Sequence, residues 1–174
     1  MTEADALRAI RRHLPRGIGE GLGTLHHRNR RLWELEDQVR ATDVPAAIAT
    51  LKRAIDIANL ARHAAVAQID AAVLARYKRG RAAHQRGAVL DSSSIGQMLD
   101  RLSILALKRA RVAGPTAHAL AAAQWEHALA CLERAVAALT AGTWVHHAAG
   151  EVKQYGVARP ERAARRRRSR MVRA

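Results

Sequence analysis

Phenylalanine is absent from these 174 residues, and three Trp and two Tyr are the only aromatics. The β-branched and aromatic runs that mark strands are missing with it, which argues against a sheet. The 49% apolar share rests instead on Ala, Leu and Val; with Arg and Glu this is a helical palette. A single cysteine, Cys131, excludes an intramolecular disulfide. It lies in the stretch Trp125 to Leu139, which reads as a buried helix, so a small core thiol is predicted.

No uncharged apolar run is long enough to span a bilayer, so no membrane partner is expected. The first fourteen residues are charged from Glu3 onward and lack the apolar core of a secretory signal, so a cytoplasmic protein is predicted. Catalytic signatures are equally scarce. Gly17, Gly19, Gly21 and Gly23 are not followed by Gly-Lys-Ser/Thr and no strand precedes them, which speaks against a phosphate loop. Nine histidines are present, but the adjacent pairs His26-His27 and His146-His147 chelate poorly. His63, His84, His118 and His127 are isolated, and the Glu-x-x-His pairs of a di-iron site are missing. Neither a metal nor another cofactor is expected. No serine, histidine and acid grouping has a recognisable nucleophile setting.

What is abundant is positive charge. Thirty Lys and Arg stand against 15 Asp and Glu, a formal net charge of +15. Positions 157–174 hold eight Arg and one Glu, or +7, leaving +8 for the remainder. Both parts attract polyanions such as nucleic acid, an acidic protein, or phosphate and sulfate groups on a substrate.

The spacing of apolar residues predicts an all-α fold, an antiparallel bundle of four principal helices with short N- and C-terminal helices. Ala6, Leu7, Ile10 and Leu14 mark a first short helix from Ala4, which Pro15 and the glycines end. A second helix is predicted from Thr24, its N-cap, to Ala41, with Leu25, Leu32, Leu35 and Val39 on one face. After the turn Thr42-Asp43-Val44-Pro45, a third is expected from Pro45 to Arg79, carrying Ile48, Leu51, Ile55, Ala58, Val66, Ile69 and Val73. The polar stretch Lys78 to Ser94 reads as a mobile surface loop whose serines, Ser92 to Ser94, can cap the next helix. Ile95, Met98, Leu99, Leu102, Leu105 and Ala106 define that fourth helix, ended near Gly114-Pro115. Another opens at Thr116 and carries Leu120, Ala123, Leu129, Leu132, Val136 and Leu139 up to Gly142. A last helical segment is placed at Trp144 to Tyr155, before an arginine tail. The organisation is therefore residues 1–23 as helix and Gly-rich connection, 24–156 as the bundle, and 157–174 as a disordered tail.

A second, polar stripe runs beside the apolar one. His26, Asn29, Trp33, Glu36 and Arg40 recur at three-to-four spacing, with Asp37 adjoining. Lys52, Asp56, Asn59, Arg62 or His63, and Asp70 do the same on the third helix, and Asp100, Arg101, Ser103 and Lys108 interrupt the fourth. One reading is a network of interhelical ion pairs that fixes register. The other is an active site, in which Glu36, Asp37 or Asp100 serves as general base while His26, Arg40, Arg62, Arg101 or Lys108 holds an anionic group. The tail ARRRRSR, with Arg165, Arg166, Arg167 and Arg168, is either solvated or a docking segment for nucleic acid or an acidic protein. No helix-turn-helix accompanies it, so sequence-specific DNA binding is not expected.

Three segments, LHHRNRRLWELEDQVR, LKRAIDIANLARHAAVAQID and DRLSILALKRAR, together with the closing GEVKQYG, resemble the bacterial domain of unknown function 4254 family. The likeness runs from about Gly23 to Gly156, and the arginine tail departs from it. It implies a helical fold, with members often in biosynthetic settings that include glycan and natural-product pathways; the expectation drawn is a biosynthetic protein acting as one subunit of a complex, for which an acidic carrier protein would suit the positive charge. It also leads to a relation with the protein pair that forms the aziridine ring in azinomycin-type antibiotic biosynthesis, by displacing a sulfate ester on a carrier-bound substrate. On that relation the acids would deprotonate the attacking amine and the cations would stabilise the departing sulfate. The alternative is a non-enzymatic helical module that binds nucleic acid or an acidic protein through its basic surface.

Overall fold

The computed structural model describes residues 1–79, 89–90 and 93–145, and over these its regular structure is helical apart from one pair of two-residue strands. The helices are α1 (Glu3–Arg12), α2 (Glu20–Arg40), α3 (Pro45–Arg79), α4 (Ile95–Arg111) and α5 (Pro115–Thr140). Two dipeptides, β1 (Val89–Leu90) and β2 (Trp144–Val145), pair in parallel, with Val89 opposite Trp144.

Four of the five helices begin where local chemistry satisfies or removes a free backbone donor. Thr2 and Asp5 form a capping box on α1, and Ser94 and Gln97 form one on α4. Pro45 and Pro115 open α3 and α5, where a missing N–H costs nothing. The end of α5 is a Schellman turn. Gly142, at φ +73°, donates to the Leu139 carbonyl, and Thr143 donates to that of Ala138.

α2 starts at Glu20, with Gly19 as its cap, and not at Thr24, which is exposed within the helix. Glycine breaks an isolated helix, yet Gly21 and Gly23 lie inside α2. At Gly21 the reason is packing: a Cβ there would come within 2.8 Å of Ile69 Cγ1 on α3. Close approach of two helices offsets the roughly 1 kcal/mol that glycine costs a helix.

The core draws Ala6 and Ile10 from α1, Leu22 and Leu25 from α2, and Val66, Ile69 and Val73 from α3. Leu99 and Leu102 of α4 and Trp125 and Leu132 of α5 complete it. The buried stripe of α5 is Ala121, Trp125, Ala128, Leu132, Ala135 and Leu139. The expected stripe is therefore misphased at its start, because Leu120 and Ala123 face outward and Trp125 takes the interior. Cys131, one step from Leu132, is only half-buried, with Sγ 3.6 Å from His127 Nε2 and 3.3 Å from Arg134 Nη2. The predicted core thiol is thus an edge residue. The predicted helix from Trp144 also fails at its first two residues, which are extended and paired; its remainder lies outside the described residues, as do most of the Lys78 to Ser94 loop and the arginine tail. No described helix is long and apolar enough to cross a membrane.

Candidate functional site

The polar residues on α2, α3 and α4 meet between those helices, and α1 reaches them from outside. His26 and Asn29 are one turn apart on α2 and nearly fully buried, and Ser103 of α4 is completely so. Buried polar groups need partners, and these supply one another. Asn29 Nδ2 donates to Asp100 Oδ1 at 2.9 Å and to Ser103 Oγ at 3.0 Å. Ser103 Oγ lies 3.0 Å from His26 Nδ1, and His26 Nε2 lies 3.1 Å from Glu3 Oε2.

The directions of these bonds are set by the donors available. A carboxylate only accepts, so Nε2–H of His26 donates to Glu3 and Nδ1 carries the lone pair. The Ser103 hydroxyl then donates to Nδ1 and accepts from Asn29. This arrangement requires a neutral imidazole, and burial pushes the His26 pKa below 6.5, against the opposing pull of Glu3. Glu3 behaves in the opposite sense. Burial alone would raise its pKa, but His26, Arg111 and Arg30 together hold it below the ordinary value. Its Oε2 accepts from Arg30 Nη2 at 2.7 Å and its Oε1 from Arg111 Nη1 at 2.7 Å. The Arg111 guanidinium sits over the Trp33 ring, 5.7 Å from its centroid.

At the other end, Asp100 Oδ2 is 3.6 Å from Arg62 Nη1, with both side chains about one-fifth exposed. Arg62 Nη2 lies 2.9 Å from His63 Nε2. Burial and the Arg62 charge both lower the His63 pKa, so Nε2 accepts and the ring proton sits on Nδ1. That Nδ1 and Arg62 Nε are buried without an acceptor among the described residues. The local balance is rich in donors beside one carboxylate.

Ser103, His26 and Glu3 thus form a serine, histidine and acid grouping that no sequence motif discloses. Ser103 is 0% exposed and already engaged by Asn29, so its hydroxyl relays hydrogen bonds and is not presented to a substrate.

Of the predicted site residues, His26, Arg62 and Asp100 are brought into one network. Glu36 faces Lys52 at 3.7 Å near the surface, and Asp37 pairs with Arg40 at 2.5 Å on the exposed side of α2. Arg101 is exposed, one step from Asp100. Lys108 Nζ donates to Gln124 on α5 at 3.3 Å. Arg165 to Arg168 lie outside the described residues. Glu3, Arg30 and Arg111 join the network although no sequence reading selects them; the one available signal is Arg30, which follows His26 by four residues on the same helix face. Among the described residues no three His, Cys, Asp or Glu side chains group as metal ligands.

Fold and site together define an all-helical protein with a charged hydrogen-bond relay between its helices. The chain belongs to the family described as protein of unknown function (DUF4254), whose model matches residues 20–142. No curated protein and no solved structure matches the chain.

Proposed function

We propose that this protein is a biosynthetic catalyst, working as one subunit of a complex, that takes an anionic or acidic-carrier-bound small molecule at the Asp100 end of the relay. The observation that carries this reading is the pairing of Asp100 with donors left over. Arg62 Nε and His63 Nδ1 have no acceptor among the described residues, which suits them to an oxyanion, and Asp100 beside them can receive a proton. Among Glu36, Asp37 and Asp100, the base is assigned to Asp100, since the other two pair with cations near the surface.

The specific chemistry proposed is ring closure with loss of sulfate. Asp100 takes a proton from a substrate amine, the nitrogen attacks the carbon bearing the sulfate ester, the C–O bond breaks, and Arg62 holds the departing anion. The scaffold for this is an antiparallel bundle of α2 to α5. Its support is the pairing of Gly21 with Ile69 and of Glu36 with Lys52, the pattern that opposed helices produce.

The net charge of +15 favours a second reading, a non-enzymatic module for nucleic acid or an acidic protein. A pull-down from the native host at moderate salt separates the two. A stoichiometric acidic carrier or second subunit, with turnover by the complex that Asp100→Asn abolishes in a folded protein, is the expected result. Nuclease-sensitive retention of bulk nucleic acid with no protein partner would overturn it in favour of the binding module.

A further inference from the structure

We propose that Arg30, Arg111 and His26 form a second oxyanion site, which the Glu3 carboxylate of α1 occupies as a built-in, displaceable ligand. Three cationic or donor groups from α2 and α4 converge on one carboxylate: two guanidiniums at 2.7 Å and an imidazole at 3.1 Å. Arg30 Nε is a further buried donor without an acceptor among the described residues, so Glu3 leaves part of the donor set unused. An anion with three or four oxygens, such as sulfate or phosphate, matches that surplus better than a carboxylate does. Trp33 beneath Arg111 fixes the guanidinium plane, as a preformed site needs.

The division of the site between segments points the same way. His26, Arg30, Trp33 and Arg111 all lie inside residues 20–142, which the family model matches, whereas Glu3 lies outside them. The receptor groups therefore lie in the segment that the family model matches, and the plug lies before it.

The plug is also built to leave. α1 has only ten residues, and its apolar anchors, Ala6, Leu7, Ala9 and Ile10, all follow Glu3, which stands in the first turn, where a helix frays most readily. It joins α2 through a turn in which Gly17 takes φ +89°, a conformation open to glycine. Displacing the first turn frees the cations for an anionic group on a small-molecule ligand. The inference rests on the proposed function only in expecting an anionic ligand, and it concerns the opposite end of the relay from Asp100.

The test is titration of the full chain with inorganic sulfate, phosphate and acetate by calorimetry. Glu3→Gln is expected to bind sulfate or phosphate roughly tenfold or more tightly than wild type, because the competing charge is gone. Arg111→Gln on the same background should abolish the gain. A folded Glu3→Gln protein with unchanged sulfate and phosphate affinity would overturn the proposal and leave Glu3 as a structural ion pair. Hydrogen exchange on the wild-type chain gives an independent readout that needs no variant. Saturating sulfate should speed exchange in the first turns of α1, and bound sulfate with unchanged exchange there would overturn displacement. The gain of Glu3→Gln should persist on an Arg62→Gln background, which removes the oxyanion donor at the Asp100 end; a gain lost with Arg62 would overturn the assignment to Arg30, Arg111 and His26, whereas failed turnover with the gain intact sinks the catalytic reading alone.

Discussion

Replacing Gly96 by alanine tests the packing logic of the whole site, because this residue is where α4 meets α3. A Cβ built there would lie 2.6 Å from the Val66 carbonyl oxygen and 2.8 Å from Asp70 Oδ1, where ordinary contact begins at 3.4 Å. Backbone oxygen cannot swing aside, so α4 must move by most of an ångström. That movement stretches the 2.7 Å bond from Gly96 N to Asp70 Oδ1 and disturbs the bond that Ser94 Oγ donates to the same fully buried carboxylate. Overpacking costs about 1–3 kcal/mol, and weakening a hydrogen bond to a charged group adds about 1.5–3 kcal/mol. Against these stands the roughly 1 kcal/mol by which alanine favours helix over glycine. The net expectation is a loss of about 2–4 kcal/mol, which lowers Tm by roughly 5–15 °C for a chain of this size. Urea unfolding followed by circular dichroism and tryptophan fluorescence reads it, with m unchanged if only stability moves. Gly23→Ala is the internal control. Its Cβ meets only the mobile end of Arg11, Nη2 at 3.5 Å, so it should stabilise by about 0.5–1 kcal/mol. If Gly96→Ala proves as stable as wild type, the close approach of α4 to α3 is refuted.

The relay gives two further outcomes. Ser103→Ala strips His26 Nδ1 of its donor and Asn29 of an acceptor, so a loss of about 1–3 kcal/mol is expected by the same urea assay; a neutral result would mean that the relay is not formed. For pH, His26 and His63 both have folded-state values below 6.5, so the unfolded chain takes up protons first and stability falls as pH drops below about that value. The lowered Glu3 value adds stability present above 4.5 and lost as pH falls further. Thermal melts from pH 8 to 5 should show the decline, and the double variant His26→Gln, His63→Gln should flatten it; an unaltered slope would contradict neutral buried imidazoles.

α3 is legible to the residue, because Thr42-Asp43-Val44-Pro45 punctuates its start and its apolar spacing never slips. The start of α2 is hidden, since a glycine that breaks an isolated helix is the same residue that lets two helices touch. Along α2, the polar stripe is legible at His26 and Asn29, but how far it stays inside is not. Glu36, Asp37 and Arg40 continue the spacing of His26 and Asn29, yet they lie near or at the surface, Glu36 facing Lys52 and Asp37 pairing with Arg40. Periodicity gives direction around a helix axis, whereas burial depends on where the neighbouring helix stops. Glu3 is illegible for a different reason: its partners lie 23, 27 and 108 residues away, and no local pattern encodes such contacts.

The parallel pairing of β1 with β2 bears on how the chain can be cut. Parallel neighbours need a crossover, and here the crossover is α4 and α5 together, so the pair closes only after both have docked. The residues just past α5 therefore tie back, through Trp144 and Val145, to Val89 and Leu90 ahead of α4, a contact that can serve as a latch. A fragment trimmed to the family boundaries at 20 and 142 would stop short of that latch. It would also lack Glu3 at the other end, and so lose a contact from each side in sequence while keeping every residue of α2 to α5.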